Sequence, residues 1–378
     1  MPYDFDIAID RTESSSTKWQ KFGADVLPMW VADMDFAAPA FIFESLQDRL
    51  NHPILGYTDR PESLLNAFLD WLGFYYGWHI PRDWVVFVPG VVPGLNLACQ
   101  ISQPGDVLMP TPVYHPFLDL ASNAGRQEIR VPMIRERILD GAVTRSRWAM
   151  DFDAMSQAVT LQTRFLAISN PQNPTGRCYD SAELAQLATF VEAHDLLVLS
   201  DDIHGSIILK ETASHTPIAQ AHPEILDRTV SLFAPTKAYN VPGLSCAVAV
   251  IPDETVRTQF LAARRGLQPG IGPLGFIVAE VAFRDRGSWL PELNAYLRQN
   301  LALINSTLGG RVAYLEATYL AWIDVADLGD IDMEQHFANF GLGISPGAQF
   351  GEPSHIRLNF GCPRSTLVEG LTRLKAAL

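Results

Sequence analysis

The alternation of short β-branched runs with amphipathic helices predicts an α/β protein with a mostly parallel central sheet covered on both faces. Two observations carry that reading. Runs at 165–169, 196–200 and 229–233 read as buried strands, and a well-marked helix separates the first from the second. Each run leads directly into a polar constellation, and open α/β sheets place their ligands at the carboxyl ends of strands.

Taken in chain order, the first clear unit is Trp84-Val-Val-Phe-Val88, followed by Pro89-Gly-Val-Val-Pro-Gly94 and an apolar helix start expected at Leu95. A glycine-containing strand-to-helix turn directs backbone N–H groups and a helix N-terminus at one point, which suits a phosphate. At this turn neither Gly-x-Gly-x-x-Gly nor a Walker lysine is present, so dinucleotide and nucleoside-triphosphate readings of it lose their main support. Phe165-Leu-Ala-Ile-Ser169 reads as the next strand. After the loop 170–179, Asp180 with Glu183 three residues later predicts a capping box, and Leu184, Leu187, Ala188 and Val191 follow at helical spacing. Leu196-Leu-Val-Leu-Ser200 runs into Asp201-Asp-Ile-His204, and Thr229-Val-Ser-Leu-Phe233 runs into the loop carrying Lys237. Past about Val281 the pattern shifts to helices and short strands, ending in His355-Ile-Arg-Leu-Asn359. The expected organisation is an N-terminal segment 1–40 packed on a small domain, a large α/β domain 41–280, and a smaller α+β domain 281–378.

Composition narrows the partners. The 378 residues are 48% hydrophobic and 19% charged, which fits a globular protein with a large core. A formal net charge of −14 without clustered Lys/Arg argues against nucleic acid and for a small-molecule partner. Cys99, Cys178, Cys246 and Cys362 lie far apart with no Cys-x-x-Cys spacing, so neither a metal site nor a disulfide framework is expected. The N-terminus lacks a charged n-region and an apolar h-region, and every long apolar stretch is interrupted, so no membrane association and a cytoplasmic location are expected.

Lys237 stands out among five lysines because it alone sits between two apolar segments. A lysine held in a partly buried loop has a lowered pKa, and its amine can serve as nucleophile, Schiff-base former or base. On the residue alone, an ordinary ion pair is the alternative. Its position beyond a strand end, like Asn173 and Asp201 at two other strand ends, favours the chemical role.

The succession Tyr114, Asn173-Pro-Thr-Gly176, Asp201-Asp-Ile-His204, Ala234-Pro-Thr-Lys237 and Arg357-Leu-Asn359, behind the turn at Gly90, resembles the fold-type I pyridoxal-phosphate enzymes of the aspartate-aminotransferase superfamily. The resemblance spans essentially the whole chain. It implies that Lys237 holds pyridoxal 5'-phosphate as a Schiff base and that Asp201 pairs with the pyridine nitrogen. It also places Asn173 and His204 near the phenolic oxygen, Tyr114 on the ring, and Gly90, Val91, Val92 and Thr236 around the phosphate, with Arg357 on the substrate α-carboxylate. For His204 a hydrogen-bonded core histidine, and for Tyr114 simple packing, are the alternatives.

Leu27-Pro-Met-Trp-Val-Ala-Asp-Met-Asp-Phe36, with Asp10-Arg11, Lys18-Trp19 and Leu55-Gly-Tyr-Thr58, is similar to the cystathionine β-lyase/C–S lyase branch, MalY/PatB-type. That resemblance implies a homodimer in which Tyr57 reaches the neighbouring subunit's phosphate and takes part in catalysis. Trp30 and Asp33 would shape the substrate entrance, and Asn173 would also face substrate. The chain departs from the superfamily pattern at Ser245, where many aminotransferases carry arginine, at Ala234 in place of serine, and at Asp202 in place of glutamate. The first two favour the lyase branch. The expected activity is β-cleavage of L-cystathionine or a related L-cysteine S-conjugate to a thiol such as homocysteine, pyruvate and ammonia, with a class I/II aminotransferase as the alternative.

Overall fold

The computed structural model describes residues 3–378. Its centre is a seven-stranded sheet with the spatial order 85–88, 247–250, 229–233, 197–201, 163–169, 106–111, 128–132. All neighbouring pairs are parallel except those made by Ala247–Val250, which runs antiparallel to both of its neighbours. That strand follows Thr229–Phe233 through the turns of the lysine loop, with no crossover helix between them. A direct return of this kind gives an antiparallel neighbour, whereas parallel strands need a longer crossover.

The strands are apolar on both sides because both faces are covered. Val107, Met109, Phe165, Ala167, Leu199, Val230 and Leu232 enter one core with the helix Val91–Ile101, while Leu108, Leu166, Ile168 and Val198 enter another with Ser181–Ala193. This is the period-two alternation of strand side chains. A third cluster packs Val85, Phe87, Phe233 and Val248 against Glu62–Tyr76 and Pro273–Arg284. Pro273–Arg284 runs through the boundary expected at 280/281, and its Phe283 ring lies 5.1 Å from Phe68 and 5.3 Å from Trp71.

Asp180 caps Ser181–Ala193 with the full reciprocal capping box, as its spacing with Glu183 predicts. The helix expected from Leu95 instead begins at Val91. Pro93 does not delay it, because a proline in the first turn removes an N–H that has no intrahelical acceptor. Gly90 immediately before it has φ 140°, a conformation that side chains disfavour.

The C-terminal part contains an antiparallel sheet of Leu320–Asp324, His355–Asn359 and Ser345–Pro346, backed by the long helix Trp289–Leu308. The N-terminal segment joins this part through a parallel pairing of Leu27–Pro28 with Leu342–Gly343. Beyond that pairing, residues 29–36 form a strap gripped from several sides. The Asn359 amide donates to the carbonyls of Val31 (2.7 Å) and Asp33 (2.6 Å). The Asn240 amide donates to Met34 (2.9 Å) and Phe36 (2.7 Å), and its oxygen accepts from Met34 N–H at 2.9 Å. Two cations complete the grip: Lys18 Nζ lies 2.6 Å from Asp35 Oδ2, and Arg11 reaches both Asp35 (2.7 Å) and Asp33 (2.8 Å).

Lys18 is 1% exposed, so its removal leaves Asp35 buried beside a vacated site. Lys18→Ala is expected to lose about 3 kcal/mol of stability in urea denaturation. The exposed Lys375→Ala should stay within about 0.5 kcal/mol of the parent.

Candidate active site

Strand register brings the polar loops to one place. Ser169 pairs with Asp201, and Asp201 pairs with Leu232, so the three strands end at nearly the same level. The loops leaving them carry Asn173, His204 and Lys237, which line a cavity of about 290 Å³ together with Asp201. Gly90, Val91 and Val92, at the N-terminus of Val91–Ile101, line the same cavity, as do Tyr114, Thr236, Trp30 and Arg357.

Lys237 is half-buried, and its Nζ donates to the carbonyl of Ala32 at 2.6 Å. Burial pulls its amine down to about 8, and the charge of Arg357 acts in the same direction against the opposing pull of Asp33 and Asp201. Asp201 is 4% exposed, and the Ile203 N–H, 3.2 Å away, donates to its carboxylate. Burial pushes its carboxyl up to about 7; the Ile203 hydrogen bond and Lys237 oppose the rise, and the charge of Asp202 adds to it. A cationic ring nitrogen beside this carboxylate would favour its ionised form.

Arg357 stands on the strand His355–Asn359 with 3% exposure. It donates to Asn173 Oδ1 and to the Trp30 carbonyl, both at 2.9 Å, while its buried Nε has no partner. Burial lowers its guanidinium to about 10, still charged at neutral pH, and the ring of Phe350 lies 4.6 Å beneath it. His204 is also buried with an unpartnered Nδ1. Burial, then the charges of Lys237 and Arg357, lower it to about 3, so it faces the cavity as a neutral imidazole.

Two expected site residues lie elsewhere in this chain. Asp33 does not line the cavity: its carboxylate is drawn to Arg11 and Lys18, and it acts on Lys237 only through its charge. Trp30 does line it, with its indole N–H tied to the Lys18 carbonyl at 3.0 Å. Tyr57 is fully exposed in the irregular stretch before Glu62–Tyr76 and does not line this chain's cavity.

Among the lining residues not anticipated are Ala32, His115, Ser345 and Gln349. Ala32 belongs to the recognised run 27–36, and His115 adjoins Tyr114, so proximity to a motif was an available signal. Ser345 and Gln349 belong to no motif and arrive only through the folding of the C-terminal sheet.

The chain belongs to the class I and II aminotransferase family, whose model matches residues 24–374. Among its relatives is cystathionine beta-lyase PatB of Bacillus subtilis (strain 168), 35% identical with 99% of this chain and 100% of PatB covered. Protein MalY of Escherichia coli (strain K12) is 30% identical, with 100% of this chain and 99% of MalY covered. In structure, the PLP-bound C–S lyase from Staphylococcus hominis superposes with a TM-score of 0.91 at 31% identity, covering 100% of this chain and 98% of that one.

The lowered amine of Lys237 has a consequence in the cofactor-free chain. Its protonated form is penalised by folding, and the penalty is fully present below about pH 8 and fades as pH rises toward the ordinary 10.5. Lys237→Met should therefore melt above the parent at pH 7, with the difference shrinking by pH 10 in calorimetric scans.

Proposed function

We propose that this protein is a pyridoxal-phosphate-dependent carbon–sulfur β-lyase acting on L-cystathionine or a related L-cysteine S-conjugate, releasing a thiol, pyruvate and ammonia. The observation that carries the proposal is the meeting of Lys237, Asp201 and Arg357 in one cavity, in a chain similar over its full length to PatB, MalY and a C–S lyase.

The residues present fit pyridoxal phosphate. Asp201 is a buried carboxylate to which, among the described residues, no cation is hydrogen-bonded, and it is suited to a protonated pyridine nitrogen. At ~3 Å such a pair has a gross attraction of roughly 5 kcal/mol at an effective dielectric near 20. The helix N-terminus at Val91 supplies N–H groups for a phosphate, and the lining residues Thr236 and Ser245 add hydroxyl groups. His204 turns an unpartnered ring nitrogen into the same space.

When bound, pyridoxal phosphate supplies an electron sink for negative charge at the substrate Cα. The protein's own groups do the rest. Arg357 offers a planar fork to the substrate α-carboxylate, and its bond to Asn173 fixes the plane of that fork. Lys237 would hold the cofactor through its amine and, when that amine is free, would take the substrate Cα proton. An amine lowered to about 8 has a substantial free-base fraction near neutral pH. Loss of the Cα proton and of the Cβ thiolate would release aminoacrylate, which water converts to pyruvate and ammonia. The carbonyl of Ala32 holds Nζ on the strap side of the cavity.

The active protein is a homodimer in this proposal. The fully exposed Tyr57, with Ile54 and Leu55 also exposed beside it, offers an amphipathic surface for a second copy and a phenol for that copy's phosphate. Four free, buried cysteines fit a reducing, cytoplasmic setting.

Purified protein given L-cystathionine and no keto acid should release pyruvate and free thiol in equal amounts. Conversion of an added keto acid to an amino acid, with pyruvate absent, would establish an aminotransferase instead. Asp201→Ala should lower kcat roughly a thousandfold and weaken cofactor binding, as read by absorbance and equilibrium dialysis.

A further inference from the structure

Behind Asp201 lies a second buried acid. Asp202 is 3% exposed, and backbone alternation turns its side chain to the opposite face, away from the cavity. There its Oδ1 lies 2.8 Å from His215 Nε2, and His215 Nδ1 lies 3.0 Å from the hydroxyl of Tyr76, at the end of the helix Glu62–Tyr76. The other carboxylate oxygen, Asp202 Oδ2, is buried and has no well-formed hydrogen bond among the described residues. Gly205 leaves room for this arrangement: a Cβ there would sit 2.6 Å from His215 Nδ1 and 2.9 Å from the Tyr76 hydroxyl.

We propose that Asp202, His215 and Tyr76 form a net-neutral positioning cluster. One proton is shared along the Asp202–His215 hydrogen bond, which leaves Asp201 as the single negative charge presented to the cofactor ring. The inference rests on the reading of Asp201 as partner of the ring nitrogen. Its physical basis is like-charge repulsion: two adjacent buried carboxylates cannot both ionise cheaply, and a bare charge on Asp202 would hold Asp201 in its protonated form. A proton on the Asp202–His215 pair removes that repulsion without removing the carboxylate.

The surrounding groups do not supply a compensating charge. Ser200 is on the same strand, and its hydroxyl, which makes no well-formed hydrogen bond, lowers the Asp202 carboxyl but is itself neutral. Burial pushes the Cys178 thiol up to about 12, and Tyr76 is also raised by burial, so both are neutral. Tyr75, next to Tyr76, is likewise raised by burial. Lys237 lines the cavity on the other face, beside Asp201. Asp202, Tyr76 and His215 touch no reacting atom in this scheme, so they are positioning residues.

The test uses holoenzyme for the pH profile of kcat, and cofactor-free protein for equilibrium binding of pyridoxal phosphate followed by tryptophan fluorescence. His215→Gln should move the acid limb of the profile to higher pH by about one unit and weaken cofactor binding at pH 7 by about tenfold. Asp202→Asn should leave the limb in place, because the neutral cluster stays neutral. The double variant Asp202→Asn/His215→Gln should return to the parent position. Gly205→Ala, which displaces the His215–Tyr76 contact without altering a charged group, should shift the limb in the same direction as His215→Gln and by less. It carries the test if circular dichroism shows that His215→Gln does not fold. An unmoved limb in both His215→Gln and Gly205→Ala overturns the inference. So does a limb lowered by Asp202→Asn, which would reveal an uncompensated charge, or a double variant displaced as far as His215→Gln, which would reveal only lost packing. Asp201→Asn separates the two levels: near-normal activity there would refute the functional reading itself, whereas its loss alongside an unmoved His215→Gln profile would refute only the cluster.

Discussion

The register of Leu197–Asp201 between Thr163–Ser169 and Thr229–Phe233 is the constraint from which the site follows. Parallel hydrogen bonding sets Ser169 beside Asp201 and Asp201 beside Leu232, so three chain reversals start from one edge of the sheet. A one-residue slip of the central strand would exchange Asp201 with Asp202, turning the buried acid of the cavity toward His215 and the paired one toward the ring. Apolar residues on both faces of these strands hold the register, since a slip would exchange the two hydrophobic sets between differently shaped cores.

A second dependence runs from the N-terminus into the same cavity. The strap 29–36 carries no regular structure except its pairing neighbour at 27–28, yet its carbonyls meet Lys237, Arg357 and Asn359. A buried ion pair from Lys18 and partly buried ones from Arg11 hold it in place. Such pairs cost desolvation, and their advantage is a single geometry in place of several. Here that geometry sets the Ala32 carbonyl against the Lys237 amine and Trp30 at the cavity wall. Asp33 and Asp35 thus act through the strap, and the N-terminal motif is a clamp whose backbone, more than its carboxylates, faces the site.

Much of this was legible before folding was considered. The capping box at Asp180 and Glu183 declares itself through local chemistry, and the strands at 165–169 and 229–233 through composition. Lys237 was visible because an ammonium in an apolar loop is costly unless it is used. The helix after Gly90 was less legible: Pro93 and Gly94 read as a continuing loop, although a proline in the first turn is compatible with helix. The antiparallel strand Ala247–Val250 and the roles of Ser345 and Gln349 left no local trace, because each depends on which distant segment arrives beside it.

The amino-acid sequence alone indicated the α/β alternation, the cap at Asp180 and the strand ends, and it singled out Lys237, because periodicity, capping and the cost of burying charge are local properties; Asp201 and Arg357 were marked out by the family resemblance. Only the tertiary structure decided which face each acid of the Asp201-Asp202 pair would occupy, that Asp33 would turn to Arg11 and Lys18, and that Gly205 would make room for His215 against Tyr76. Those outcomes rest on contacts between residues far apart in the chain, where hydrogen-bond geometry and shared burial select one arrangement from several that local chemistry permits.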